Sequence, residues 1–161
     1  MNNKSQSPLM VYADTSVYGG VYDDEFSAAS TRFFEVIRRG SFQLVLSEIV
    51  HRELSFAPAQ VQGLFQEMLP LALLTPVTDE AINLQQAYIR EGIVTKKSLD
   101  DALHVALATV SGCDLIVSWN FKHIVHFQKI PLFNAVNTLN GYNSLMIYSP
   151  LEVIENEDQE F

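Results

Sequence analysis

The chain has 161 residues, 48% of them hydrophobic and 18% charged, with a formal net charge of −9. That is the size of one ordinary domain with a substantial core, and the acidic excess excludes a protein that captures nucleic acid through a broadly basic surface. Its one cysteine, Cys113, has no partner for an intramolecular disulfide, the polar start Met1 to Pro8 holds no apolar signal region, and no apolar stretch approaches the length of a membrane span, so a soluble cytoplasmic protein is expected.

Met10 to Ala13 is a short apolar run that stops at Asp14 and is followed by Thr15 and Ser16, which reads as a strand carrying a carboxylate at its carboxyl end. Phe26, Ala29, Phe33 and Ile37 recur at helical spacing, and Gly40 stops that helix. Phe42 to Leu46 predicts a second strand, Ser47 an N-cap, and Glu53 lies on the second turn of the helix that follows. After a break at Pro58, Val61, Leu64, Phe65 and Met68 form another apolar face, and Leu71 to Leu74 is a candidate short strand. Thr78 caps a helix over Asp79 to Glu91 that ends at Gly92. Ser98 and Asp101 have the spacing of a capping box at the start of a strongly apolar helix, which Gly112 ends. Leu115 to Ser118 and Leu145 to Tyr148 are the remaining strands, while Phe133 to Asn137, ahead of Asn140 and Gly141, reads as a turn-rich stretch. This alternation predicts an α/β domain over residues 8–154 with a mainly parallel sheet covered on both faces, and mobile termini over 1–7 and 155–161.

Three distant segments therefore deliver carboxylates where such a fold places a reaction site: Asp14, Glu53 and Asp101. Taken singly, each has a structural explanation in helix capping, the helix dipole or a solvated face. Together they suit hard divalent cations, which take oxygen ligands, and three like charges brought close raise one another's pKa unless a cation joins them. Asp100 neighbours Asp101 but faces another direction on a helix, so Asp101 is the better candidate.

At these residues the chain resembles a known family. Tyr12-Ala13-Asp14-Thr15-Ser16, Glu53-Leu54, the run Asp101 to Ala106 and the segment Asp114 to Phe121 are similar, in order and spacing, to the successive motifs of PIN domains, with the VapC-like branch as the best match. The resemblance covers residues 8 to 150 and implies a three-layer α/β/α fold. It also implies a Mg2+- or Mn2+-dependent ribonuclease, the toxin half of a toxin–antitoxin pair, with an antitoxin protein and a second copy of the chain as partners. Asp14, Glu53 and Asp101 match the family's first three acidic positions and Ser16 its supporting hydroxyl. At the fourth acidic position this chain has Asn120, whose amide oxygen can bind an ion or its water but adds no charge. The resemblance thus implies that Asp14 and Asp101 bind metal directly, that Glu53 holds the metal or its water, and that Asn120 orients a water or second ion.

Other residues keep two readings. Arg38-Arg39, Lys96-Lys97 and Lys122-His123 can contact phosphates or serve helix ends. Trp119 and Phe121 can stack on RNA bases or anchor their loop to the core. His104 can bond a carboxylate or pack within the helix layer, and His123 and His126 lack a third ligand at any familiar zinc spacing. Phosphatase and receiver domains also end a first strand in Asp, but here the accompanying acids of both are missing. A non-catalytic nucleic-acid- or protein-binding module is the remaining alternative.

Overall fold

The computed structural model describes residues 7 to 157. Five strands, β1 (Leu9–Ala13), β2 (Phe42–Ser47), β3 (Ala72–Thr75), β4 (Leu115–Val117) and β5 (Met146–Tyr148), form one sheet in the order β3-β2-β1-β4-β5, with every neighbouring pair parallel. The expected α/β class holds, and the sheet is wholly parallel. Val11, Tyr12 and Ala13 are completely buried, as a central strand covered on both faces requires.

Among the described residues, eight helices connect and cover the strands: α1 (Thr15–Gly20), α2 (Ser27–Arg38), α3 (Glu48–Leu54), α4 (Ala59–Met68), α5 (Asp79–Arg90), α6 (Leu99–Val110), α7 (Ile130–Leu139) and α8 (Pro150–Glu157). α1 to α4 contact one another and α8 joins them through α2, while α5 contacts both α6 and α7, giving helical layers on either side of the sheet. Ser47 and Thr78 cap α3 and α5 as expected, accepting from the backbone N–H of Val50 and Ala81. Gly40 and Gly112 leave α2 and α6 at φ 81° and 79°, a conformation that a side chain disfavours.

Two local expectations need correction. Ser98 makes no side-chain cap; a 3₁₀ turn, Lys96–Ser98, feeds directly into α6 and takes the place of the capping box. The turn-rich reading of Phe133 to Asn137 fails because these residues lie within α7, where Phe133, Val136 and Asn137 are buried on one face. Asn137 fits there because it bonds Tyr88 and Thr109 in the interior. At the termini, α8 runs through residues 155–157, and 1–6 and 158–161 lie outside the described residues. No helix among the described residues is long and apolar enough to cross a membrane.

Candidate functional site

The strand order reverses on either side of β1, so the crevice at the carboxyl ends of β1 and β4 is the topological switch point of the sheet. Ala13 pairs with Val117, which brings Asp14 and Ser118 together just beyond the strands. Asp14 is 4% exposed and N-caps α1. Its Oδ1 accepts from Ser16 N at 3.1 Å and Ser16 Oγ at 2.5 Å, and its Oδ2 accepts from Ser118 Oγ at 2.6 Å. The same hydroxyls tie down the chain after β4: Trp119 N donates to Ser16 Oγ and Asn120 N to Ser118 Oγ, each at 2.9 Å. Burial raises the Asp14 pKa; His104, Ser118 and Ser16 oppose that rise, Asp101 adds to it, and the net shift is upward. A carboxylate in this position is costly to ionise without a cation nearby.

Glu53 and His104 connect the two helical layers over the strand ends. His104 is 2% exposed on α6, and its Nε2 lies 2.6 Å from Glu53 Oε1 on α3. Its Nδ1 lies 2.7 Å from the Tyr12 hydroxyl, which is 2.7 Å from Ser47 Oγ. Burial lowers the His104 pKa, but the Glu53 hydrogen bond and the charges of Asp14, Glu53 and Asp101 outweigh it and the net shift is upward. Burial raises the pKa of Glu53, yet the His104 bond and charge pull it below the ordinary carboxylate value. With both ring nitrogens protonated, Nε2–H donates to Glu53 and Nδ1–H to Tyr12, whose own hydroxyl donates to Ser47. His104 both bonds a carboxylate and packs in the core, and its partner comes from α3 rather than from the acids one turn before it.

Asp101 opens α6, half-buried. Burial raises its pKa, the charges of His123 and His104 and a hydrogen bond from Asn120 lower it, Glu53 raises it, and the net shift is upward. Asp100 turns outward, with Oδ1 3.4 Å from Arg52 Nη2 in an exposed pair. Asn120 Oδ1 accepts from the backbone N–H of Lys122 at 3.2 Å and of His123 at 2.9 Å. The amide therefore holds the loop after β4 while bonding toward Asp101. Trp119 anchors that loop: its ring stacks on Phe26 at 4.3 Å and its Nε1 donates to Ser30 Oγ.

The structure thus brings Asp14, Glu53 and Asp101 each within electrostatic reach of His104, with Asp101 also reaching Asp14 and Glu53. Among the described residues no three His, Cys, Asp or Glu side chains form a ready-made metal cage. The donor chemistry nevertheless fits Mg2+, which keeps several waters and is held through one or two carboxylates together with substrate phosphates. Among the described residues no lysine or arginine makes an ion pair with Asp14 or Asp101. Thr15 Oγ1 is buried beside Glu53 and helps to lower the pKa of that carboxyl. Sequence reasoning missed Tyr12 and Ser118. Ser118 had one visible signal, a hydroxyl at the end of an apolar run, but its role depends on β4 pairing with β1.

No protein-family model and no curated protein sequence matches the chain. Among solved structures it is similar to VapBC2 from Rickettsia felis bound to a DNA fragment from their promoter, at 12% identity and a TM-score of 0.55, covering 88% of this chain and 98% of that one. It is also similar to FitAcB from Neisseria gonorrhoeae, at 13% identity and a TM-score of 0.55, covering 88% and 99%. At these identities the likeness shows the fold, a PIN-like three-layer α/β/α architecture. The identification with the VapC-like branch is corrected: no family model supports it, and both neighbours are two-component assemblies that tie this chain to neither component. The physical reason lies in the motifs, since an acid after a strand, a Glu on the next helix and acids at a helix start arise in any parallel α/β sheet with capped helices.

Proposed function

We propose that this chain is a metal-dependent endoribonuclease that hydrolyses phosphodiester bonds in RNA. The observation that carries the reading is the pairing at the switch point of two carboxylates with raised pKa values, Asp14 and Asp101, neither neutralised by a lysine or arginine. These two residues would hold Mg2+ or Mn2+, with Glu53 kept ionised by His104 at the edge of the site. A cation held there would supply an activated water and charge stabilisation at the leaving oxygen. Ser16 and Ser118 fix the Asp14 carboxylate, and the Tyr12–His104–Glu53 chain fixes the orientation of Glu53. Asn120 positions Asp101 and the following loop; its oxygen is already used by two backbone N–H groups.

The likeness to VapBC2 and FitAcB supports a second protein as partner, and the motif resemblance suggests a small antitoxin-like one. A homodimer is the second assembly proposed. The buried, unpaired Cys113 suits the reducing cytoplasm. A second reading, a non-catalytic module that binds nucleic acid or protein, is favoured by the lack of a three-acid cage among the described residues. Incubating purified protein with single-stranded RNA in Mn2+, Mg2+ or EDTA separates the two: the nuclease reading expects cutting only with a divalent ion, and its loss in Asp101→Asn. Intact RNA under every condition, with no heat of Mn2+ binding, supports the module.

A further inference from the structure

The loop between β4 and α7 gathers four cationic or titratable groups, Lys122, His123, His126 and Lys129, within eight positions of a chain whose net charge is −9. Among the described residues neither lysine forms an ion pair with a carboxylate. Lys129 Nζ lies 3.3 Å from His123 Nδ1. An ammonium only donates, so Nδ1 is the acceptor, and a neutral His123 keeps its Nε2–H as a donor. His126 is used locally, its Nδ1 accepting from Gln128 N. Lys122, His123 and Lys129 thus hold donors without an anion, in a loop that Asn120 fixes through the backbone of Lys122 and His123. Asn120, which holds the backbone of Lys122 and His123, also bonds toward Asp101, so this end of the loop lies beside that acid. Two rings accompany them: Phe127 is 90% exposed and Phe121 50% exposed, whereas Trp119 is turned in toward Phe26.

We infer that this loop is a platform for single-stranded RNA, in which Lys122, His123 and Lys129 hold a backbone phosphate next to Asp101 and Phe127 stacks on a base. The inference rests on the proposed nuclease reading for the identity of its ligand. Cations alone would suit any anion; the exposed rings between them select a strand with bases, since stacking is how single strands are held without sequence readout. The arrangement also explains how an acidic protein would seat a polyanion: the charge that matters is local, and the rest of the surface repels wrong placements.

The test is fluorescence anisotropy with a short fluorescein-labelled single-stranded RNA of mixed sequence, using the full chain carrying Asp14→Asn to prevent cutting, across a salt series in Mg2+. Removing two phosphate-contacting charges with Lys122→Gln/Lys129→Gln lowers the salt slope by about 1.4. The charge-matched pair Arg38→Gln/Arg39→Gln, next to the amino-terminal end of β2, leaves it unchanged. Phe127→Ala weakens binding roughly tenfold or more. Equal slope changes in both pairs, or no RNA binding by the parent at low salt, overturn the platform. Unchanged affinity in the loop variants also overturns it and leaves the exposed rings to a protein partner. The two readings fail separately. Slope changes in a protein that cuts no RNA with any divalent ion sustain the platform and remove the nuclease. Cutting with an unaltered KM in the loop variants does the reverse.

Discussion

Replacing His104 with Leu tests whether this residue is the internal counter-ion of the acids. Leucine fills much of the same buried space but leaves Tyr12 and Glu53 without their partner. The Tyr12 bond contributes about 1 kcal/mol. The Glu53 pair, with side chains 3% and 29% exposed, falls between exposed pairs and fully buried ones and contributes about 2 kcal/mol. His104→Leu in EDTA should therefore lose about 3 kcal/mol in urea unfolding, and a double-mutant cycle with Glu53→Gln should return a coupling of about 2 kcal/mol. The coupling has a defined pH window. His104 is raised from 6.5, so its contribution is complete below 6.5 and is lost as pH rises through the folded value. Glu53 is lowered from 4.5, so its contribution is complete above 4.5 and is lost as pH falls through the folded value. The coupling should be greatest between 4.5 and 6.5 and decline on either side. A coupling under about 0.5 kcal/mol, or one indifferent to pH, would refute the counter-ion argument.

Gly20→Ala should destabilise by about 1 to 3 kcal/mol and shift the emission of Trp119, the chain's sole tryptophan. A Cβ there would lie 2.5 Å from Ser30 Oγ and 2.8 Å from Trp119 Nε1, so an unchanged Tm and spectrum would show that the Trp119 anchor is misplaced. Asn120→Asp removes the hydrogen bond toward Asp101 and adds a like charge, so it should lower stability in EDTA by about 1 kcal/mol and enlarge the Tm rise on adding Mn2+. Equal Mn2+ responses in parent and variant would place residue 120 outside the influence of the site. The Cys113 thiol, pushed up to about 11 by burial, should react with an aromatic disulfide reagent only after unfolding; rapid labelling of the native protein would contradict its placement.

The strands and most helices were legible because their signals are local. Ser47 and Thr78 cap helices whose first turns follow at once, and Gly40 and Gly112 sit where the backbone must turn left-handed. α7 was not legible, because Asn134, Asn137 and Asn140 resemble turn residues until their partners are known: Leu145 for Asn134, Tyr88 and Thr109 for Asn137. The acids were readable one by one as strand-end or helix residues. What joins them was not, since His104 meets Glu53 across 51 positions and Ser118 meets Asp14 across 104. Asn120 shows the same limit: its type suggested an ion ligand, while its oxygen is occupied by the backbone of its own loop.

The central claim is that Asp14 and Asp101 together support hydrolysis of RNA, and the most direct measurement is the single-turnover cleavage rate in Mn2+ for the parent, Asp14→Asn, Asp101→Asn and the double variant. The account predicts folded variants in which either substitution lowers the rate at least about a hundredfold, with the double variant little worse than the singles, as for residues acting as one unit. Cleavage by folded Asp14→Asn at the parental rate would contradict it.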